Sequence, residues 1–237
     1  ASEFQSSPPS SRQERVAHHR RAWKAGLMLR LSELEDAEPL HFGRVALELA
    51  KRLEEDAIVT SGVGHHNIWA REVLGIRNRE SFVQEASWGT MGGELGAGIA
   101  ASLVYPDRRV VVVTGDGSFL MAASDFVTAV EEGANILVVV LNDSRYGIIT
   151  SMQKEYFDRS YGDEIGAVDF ARFAESVGGV GIRVESPAAL PGSVARALEL
   201  SAPTPVILDA VCDPRYRWPD RPAILAAGLR ALGAPEH

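Results

Sequence analysis

Cysteine is nearly missing from this chain. Cys212 is the only one, so no internal disulfide can form, and it is expected as a buried or incidental thiol instead of a nucleophile. Long apolar runs are missing too: no stretch approaches the roughly 20 residues of a membrane-spanning helix. The N-terminus lacks the charged, apolar, small-residue order of a secretion signal, so a cytoplasmic setting is expected. Basic residues are not in excess. With 24 Lys+Arg against 32 Asp+Glu, a net charge of −8 and the signs interspersed, nothing draws the chain to nucleic acid by electrostatics. There is no internal repeat and no Gly-x-x-x-x-Gly-Lys-Ser/Thr loop of the kind that cradles nucleoside triphosphates. What remains, 46% hydrophobic and 24% charged over 237 residues, suits one globular domain with a sizeable core, or one domain plus an appendage.

The most informative stretch runs from Arg109 to Asn142. Val110 to Val113 is fully apolar, the chain breaks at Thr114-Gly115-Asp116-Gly117-Ser118, a helical pattern follows, and a second apolar run, Ile136 to Leu141, ends on Asn142-Asp143. Short β-branched runs separated by a helix-length segment read as neighbouring parallel strands, buried on both faces and joined by a crossover helix. Strand ends then face the same way, so Asp116 and Asn142 are expected side by side. Gly115 and Gly117 are expected to turn backbone amides toward an anion, and Ser118 to open a helix at its positive end, which suits a phosphate. A carboxylate in a phosphate cradle repels its ligand unless a hard cation lies between. Mg2+ fits, because it takes oxygen ligands and is usually held by one or two protein groups plus phosphate oxygens. Asp116, the amide oxygen of Asn142 and the carbonyl of Ser144 are the candidate ligands. Read alone, Gly-Asp-Gly is a common turn; Asn142 at the end of the next strand, after 24 intervening residues, turns the balance toward a site.

Gly115-Asp116-Gly117, 24 residues and then Asn142 resemble the thiamine diphosphate signature. In that family the Asp and Asn hold the Mg2+ that anchors the diphosphate. The likeness runs from about Leu40 to Asp213 and is nearest to the acetolactate synthase and 2-oxo acid decarboxylase branch, through Gly62-Val63-Gly64-His65-His66-Asn67-Ile68-Trp69, Gly89-Thr90-Met91-Gly92 and Asn142-Asp143-Ser144-Arg145-Tyr146-Gly147. The resemblance implies diphosphate contacts from His65, His66 and Asn67, although His65 stands where glutamine is commoner. It makes Met91 the large apolar residue that bends the cofactor, with Gly89 in the same turn, and Tyr146 and Gly147 a continuation of the cradle through backbone amides. Glu85 and Glu94 lie near the site, with a solvent-facing or capping role expected for each. His65, His66, Arg145 and Gln153 are available to a polar substrate, and Arg145 reads equally as a solvated loop charge.

Helical spacing from Phe42 to Leu53, a strand at 57–60, a short strand at 81–84, a small-residue helix from Leu95 to Leu103, helices at 169–177 and 190–200 and strands at 180–184 and 206–210 complete the pattern. Five or six strands alternating with helices predict a three-layer α/β/α sandwich with a doubly wound, mostly parallel sheet. The expected organisation is a disordered, tag-like segment at 1–17, a helical arm at 18–39, the diphosphate domain at 40–213 and an extended tail at 214–237. The resemblance implies an enzyme that decarboxylates a 2-oxo acid and releases or transfers the acyl or aldehyde unit. The relay glutamate it needs belongs to a separate pyrimidine-binding domain that this sequence does not contain, so a partner domain or subunit is expected, in a dimer or an α2β2-type heteromer. The alternatives are a fragment of a biosynthetic or catabolic acetolactate synthase large subunit, the biosynthetic type disfavoured by Met152 where those enzymes carry tryptophan, and a catalytically silent scaffolding homologue, disfavoured by the intact Asp116 and Asn142.

Overall fold

The computed structural model describes residues 11–75, 81–84, 88–202, 204–215 and 221–232. In chain order its elements are α1 (Ser11–Glu33), α2 (Phe42–Ala50), β1 (Ile58–Ser61), α3 (His65–Val73), β2 (Phe82–Gln84), α4 (Gly93–Val104), β3 (Val110–Gly115), α5 (Asp116–Met121), α6 (Asp125–Glu131), β4 (Ile136–Asn142), α7 (Gly147–Phe157), α8 (Phe170–Ser176), β5 (Val180–Val184), α9 (Leu190–Leu200), β6 (Val206–Val211) and α10 (Arg221–Ala231). They form two compact units, one built on the two terminal segments and one spanning Asp36–Trp218.

The larger unit is the expected α/β/α sandwich. Its six strands are all parallel, in the order β2-β1-β3-β4-β6-β5. Val110 to Val113 and Ile136 to Leu141 are buried throughout, as strands covered by helices on both faces must be. The register sets Gly115 against Leu141, so Asp116 and Asn142 each begin one step past the last matched pair. From β1 the chain first adds β2 on one side and then crosses back to lay β3 on the other. The strand order therefore reverses between β1 and β3, and the crevice outside their carboxyl ends is where open α/β sheets bind ligands. The segments after β1 and after β3 flank that crevice.

The crossover from β3 to β4 is broken into α5 and α6, where a single helix was expected. The reason lies in packing. Phe119 on α5 and Phe126 on α6 both turn inward to a cluster with Phe170 and Phe173, with Phe119 5.4 Å from Phe170 and 5.6 Å from Phe173 between ring centroids. Phe119 directly follows Asp116-Gly117-Ser118, so the core holds the cradle turn in place. Gly98 on α4 shows equally close packing, since a Cβ there would lie 2.3 Å from Val112 Cγ2. Val112 is fully buried and stiff at χ1, so it cannot give way. Gly98→Leu is expected to cost about 3 kcal/mol or more, read as a lower urea midpoint.

The terminal unit corrects two expectations. Residues 11–17, expected to be disordered, belong to α1, and the C-terminal segment, expected to be extended, contains α10. The physical cause is a close helix crossing. A Cβ on Gly26 would fall 1.8 Å from Ile224 O, and one on Gly228 1.6 Å from Ala22 O. The two glycines let the backbones of α1 and α10 touch, and this pairing supplies the packing that neither amphipathically weak helix has alone. Residues 1–10 lie outside the described residues. Among the described residues no helix is long and apolar enough to cross a membrane.

Candidate active site

A cavity of about 220 Å3 opens at the strand carboxyl ends. Its wall includes Val63 to His66 after β1, Gly89 and Met91 before α4, Gly115 to Ser118 at the end of β3 and just after it, and Leu141, Asp143 and Arg145 to Ile149 at the end of β4 and after it. Of the residues singled out in the sequence, His65, His66, Gly89, Met91, Gly115, Asp116, Gly117, Ser118, Tyr146 and Gly147 line it. Asn142 and Ser144 adjoin the wall without being part of it, and Asn67 is buried one residue away with its Nδ2 unpaired.

The glycines after β3 matter for space and not for torsion, which corrects the expectation that they turn the backbone. Gly115 has φ −93°, an ordinary value. A Cβ on it would lie 2.9 Å from His66 Nδ1, and one on Gly64 2.7 Å from the same ring, so the two glycines sandwich the imidazole. A Cβ on Gly117 would lie 2.6 Å from Tyr146 Cε1 and 2.8 Å from Ile165 Cδ1. Burial pushes the His66 pKa down to about 4, partly opposed by Glu94, so the imidazole is neutral at pH 7, and its Nε2 has no partner.

Several donors expected to face a phosphate are used inside the protein. Gly117 N–H donates to Asp116 Oδ1 at 2.7 Å, and Tyr146 N–H donates to Asp163 O at 2.8 Å. Ser118 Oγ donates to Glu94 Oε1 at 2.5 Å and accepts from Gly92 N at 2.9 Å, tying the Met91 turn to the cradle. Gly147, Ile148 and Ile149 line the cavity as the first turn of α7, where helix amides lack intrahelical partners and are free to meet an anion. The Ser144 carbonyl accepts from Ile165 N at 2.9 Å, which leaves it one lone pair.

Asp116 is the electrostatic centre. It is buried, its Oδ2 accepts from Arg145 N at 3.2 Å, and desolvation raises its pKa to about 6 despite these backbone bonds. Asp143 beside it is raised to about 7 by burial and by the charge of Asp116. Two buried carboxyls sharing one cavity wall are costly unless protonated or bridged by a cation. The Arg145 side chain only partly offsets the charge at Asp143. It turns outward to Glu164 at 2.8 Å and Asp163 at 3.6 Å. Gln153 is likewise engaged, accepting from Tyr161 N at 2.7 Å. Both side chains expected to be available to substrate are therefore occupied with the segment 161–165.

Two site features went unread in the sequence. Asp143 stood in plain view inside the Asn142-Asp143-Ser144 motif. Glu94, expected to face solvent or cap a helix, is instead buried, with Oε1 accepting from Thr114 Oγ1 at 2.6 Å as well as from Ser118, and Oε2 unpaired. Its neighbour Gly62 is bare for its sake, because a Cβ there would lie 2.1 Å from Glu94 Oε2. Glu85 lies outside the described residues. Cys212 is a buried thiol with its pKa pushed well up by desolvation, as expected of an inert cysteine.

The model of the thiamine pyrophosphate enzymes' C-terminal TPP-binding domain matches residues 62–210, more than half of the chain. The chain belongs to the thiamine pyrophosphate enzyme family. The acetolactate synthase of Bacillus subtilis (strain 168) is 36% identical over 179 residues, covering 75% of this chain and 30% of that protein. The catabolic acetolactate synthase of Raoultella terrigena is 34% identical over 170 residues, covering 71% of this chain and 30% of its own length. This chain thus spans about 30% of these curated relatives. The benzoylformate decarboxylase structure from Polynucleobacter necessarius matches with TM-score 0.69 at 20% identity, over 77% of this chain and 35% of that one, and shows the shared fold.

The cavity fits what a diphosphate with a divalent cation requires. Two buried acids line one wall, glycines keep side chains off the floor, and a helix N-terminus lines the wall. Among the described residues no three His, Cys, Asp or Glu side chains form a metal cage. A cation here would need amide, carbonyl and ligand oxygens to complete its shell, which is how Mg2+ is commonly held with phosphates.

Proposed function

We propose that this chain is the diphosphate-binding half of a thiamine diphosphate- and Mg2+-dependent enzyme that decarboxylates a 2-oxo acid and releases or transfers the acyl or aldehyde unit. The observation that carries this reading is the buried Asp116 at the carboxyl end of β3, next to the strand that ends on Asn142, in a cavity it shares with Asp143 and the first turn of α7. Asp116, the Asn142 amide oxygen and the Ser144 carbonyl would hold the cation, with Asp143 adding its field. The first turn of α7 would receive the diphosphate, and Met91 would support the cofactor's bend. When bound, the cofactor supplies the electron sink that accepts the carbanion left by departing CO2. Asp116 would hold the cation that offsets the diphosphate's charge, His66 is neutral, and Phe42, Val63 and Leu141 give the cavity an apolar wall.

A separate pyrimidine-binding domain would complete the site and supply the relay carboxylate. Large exposed side chains fit a covered surface there: Trp88, in the segment before α4, is 87% exposed, and Tyr156, Phe157 and Tyr161, at and beyond the end of α7, are 70%, 70% and 90% exposed. Acetolactate synthesis is the second reading, favoured by the names of the relatives. In either reading this chain is expected to bind thiamine diphosphate only when Mg2+ is present. Calorimetry with the cofactor, with and without Mg2+, checks this, and heat that is absent in both titrations refutes the reading in favour of a silent scaffold. Adding a partner domain and following pyruvate consumption against acetolactate formation separates the two chemistries.

A further inference from the structure

At the end of β4, Asn142 reaches away from the cavity with its nitrogen. Nδ2 donates to Asp209 Oδ1 at 2.9 Å and to Val168 O at 3.1 Å. A backbone carbonyl and a carboxylate can only accept, so turning the amide over would set its oxygen against two other oxygens. Chemistry alone thus assigns the orientation, and among the described residues Oδ1 is the atom left without a hydrogen bond. Asp209 sits on β6 with 0% exposure. Its Oδ2 accepts from Arg183 Nη1 at 2.5 Å and from Phe170 N at 3.2 Å, which turns Oδ1 toward Asn142.

We propose that Asp209, held by Arg183, is a positioning residue that presents the carbonyl oxygen of Asn142 to the cation of the diphosphate site. The inference rests on the reading of the site given above. The competing account is a cross-strand tie. Arg183 and Asp209 are register partners on β5 and β6, and an ion pair there could simply hold the edge strand. That account leaves the deep burial unexplained, because a well-packed apolar pair in such a place is often as stable or more so. A carboxylate whose second oxygen fixes a metal-ligating amide has a reason to be there, as the outer partners of metal ligands generally do.

The two accounts separate when cation affinity is measured beside stability. The full chain is titrated with Mn2+ in the presence of thiamine diphosphate, free Mn2+ is followed by electron paramagnetic resonance, and thermal melting is recorded for each variant. In Arg183→Met/Asp209→Leu the whole pair becomes apolar, so the fold is expected to survive while Mn2+ affinity falls by about 10- to 100-fold. Arg183→Met alone, which leaves Asp209 on Asn142, is expected to melt earlier with Mn2+ affinity changed less than about threefold. Asp209→Asn keeps the shape and is expected to lose about tenfold, and it decides the matter should the double variant fail to fold. Wild-type affinity in both Asp209 variants overturns the inference and leaves the site reading intact. If wild type itself takes up no Mn2+ with the cofactor, the site reading falls and the inference with it.

Discussion

Asp116→Asn is expected to raise the melting temperature of the protein in chelator while abolishing Mg2+-dependent binding of thiamine diphosphate. The two effects have one cause. The folded pKa of Asp116, about 6, lies above its ordinary 3.8 because burial disfavours the charge. Stability contributed by such a group is whole below pH 3.8 and is lost as pH climbs through about 6, and Asp143 carries the loss on to about pH 7. At pH 7.5 the ionised Asp116 costs about 3 kcal/mol, of which an uncharged isostere recovers part, about 1 kcal/mol or more once its strained backbone hydrogen bonds are counted.

A bound cation reverses the sign. It needs both carboxyls ionised, so the rise in melting temperature on adding Mg2+ with the cofactor is expected to grow from pH 5 to pH 8 in wild type and to vanish in the variant. Cofactor affinity in Mg2+ is expected to fall about a thousandfold, or about 4 kcal/mol. Differential scanning fluorimetry over that pH range, with and without chelator, checks both arms. A variant that melts earlier in chelator, or that keeps its Mg2+ response, contradicts the electrostatic account.

Gly117→Ala carries the second large effect, and it falls on binding instead of folding. The added Cβ would meet the Tyr146 ring at 2.6 Å and Ile165 Cδ1 at 2.8 Å. Tyr146 lines the cavity, so the open direction for its ring is into the space a diphosphate would fill. The helical position itself gains by up to ~1 kcal/mol when Gly becomes Ala, which offsets strain in the fold. Cofactor affinity is therefore expected to drop about 100-fold, or about 3 kcal/mol, with melting shifted by only a few degrees. Gly96→Ala is the control, because a Cβ there meets nothing within 4 Å and should leave binding unchanged. Equal affinities for Gly117→Ala and Gly96→Ala would remove Gly117 from the cradle.

The sequence by itself determined the sandwich and the adjacency of β3 and β4, the strands that Asp116 follows and Asn142 ends. These are legible because they depend on short-range patterns: apolar runs of strand length, a helix-length gap, and glycines where strands end. Period and chain connectivity leave few other arrangements. Only the tertiary structure decided what each polar atom does once there. Glu94 reads as a helix-start acid until Thr114, 20 residues on, and Ser118, 24 residues on, close over it. Asp209 reads as a strand residue until Asn142, 67 positions earlier, donates to it. The helix α10, with little amphipathic pattern of its own, is defined by its crossing with α1 at Gly26 and Gly228. Hydrogen bonds between distant segments leave no periodic trace, since a buried donor needs only some acceptor and the fold alone says which one arrives.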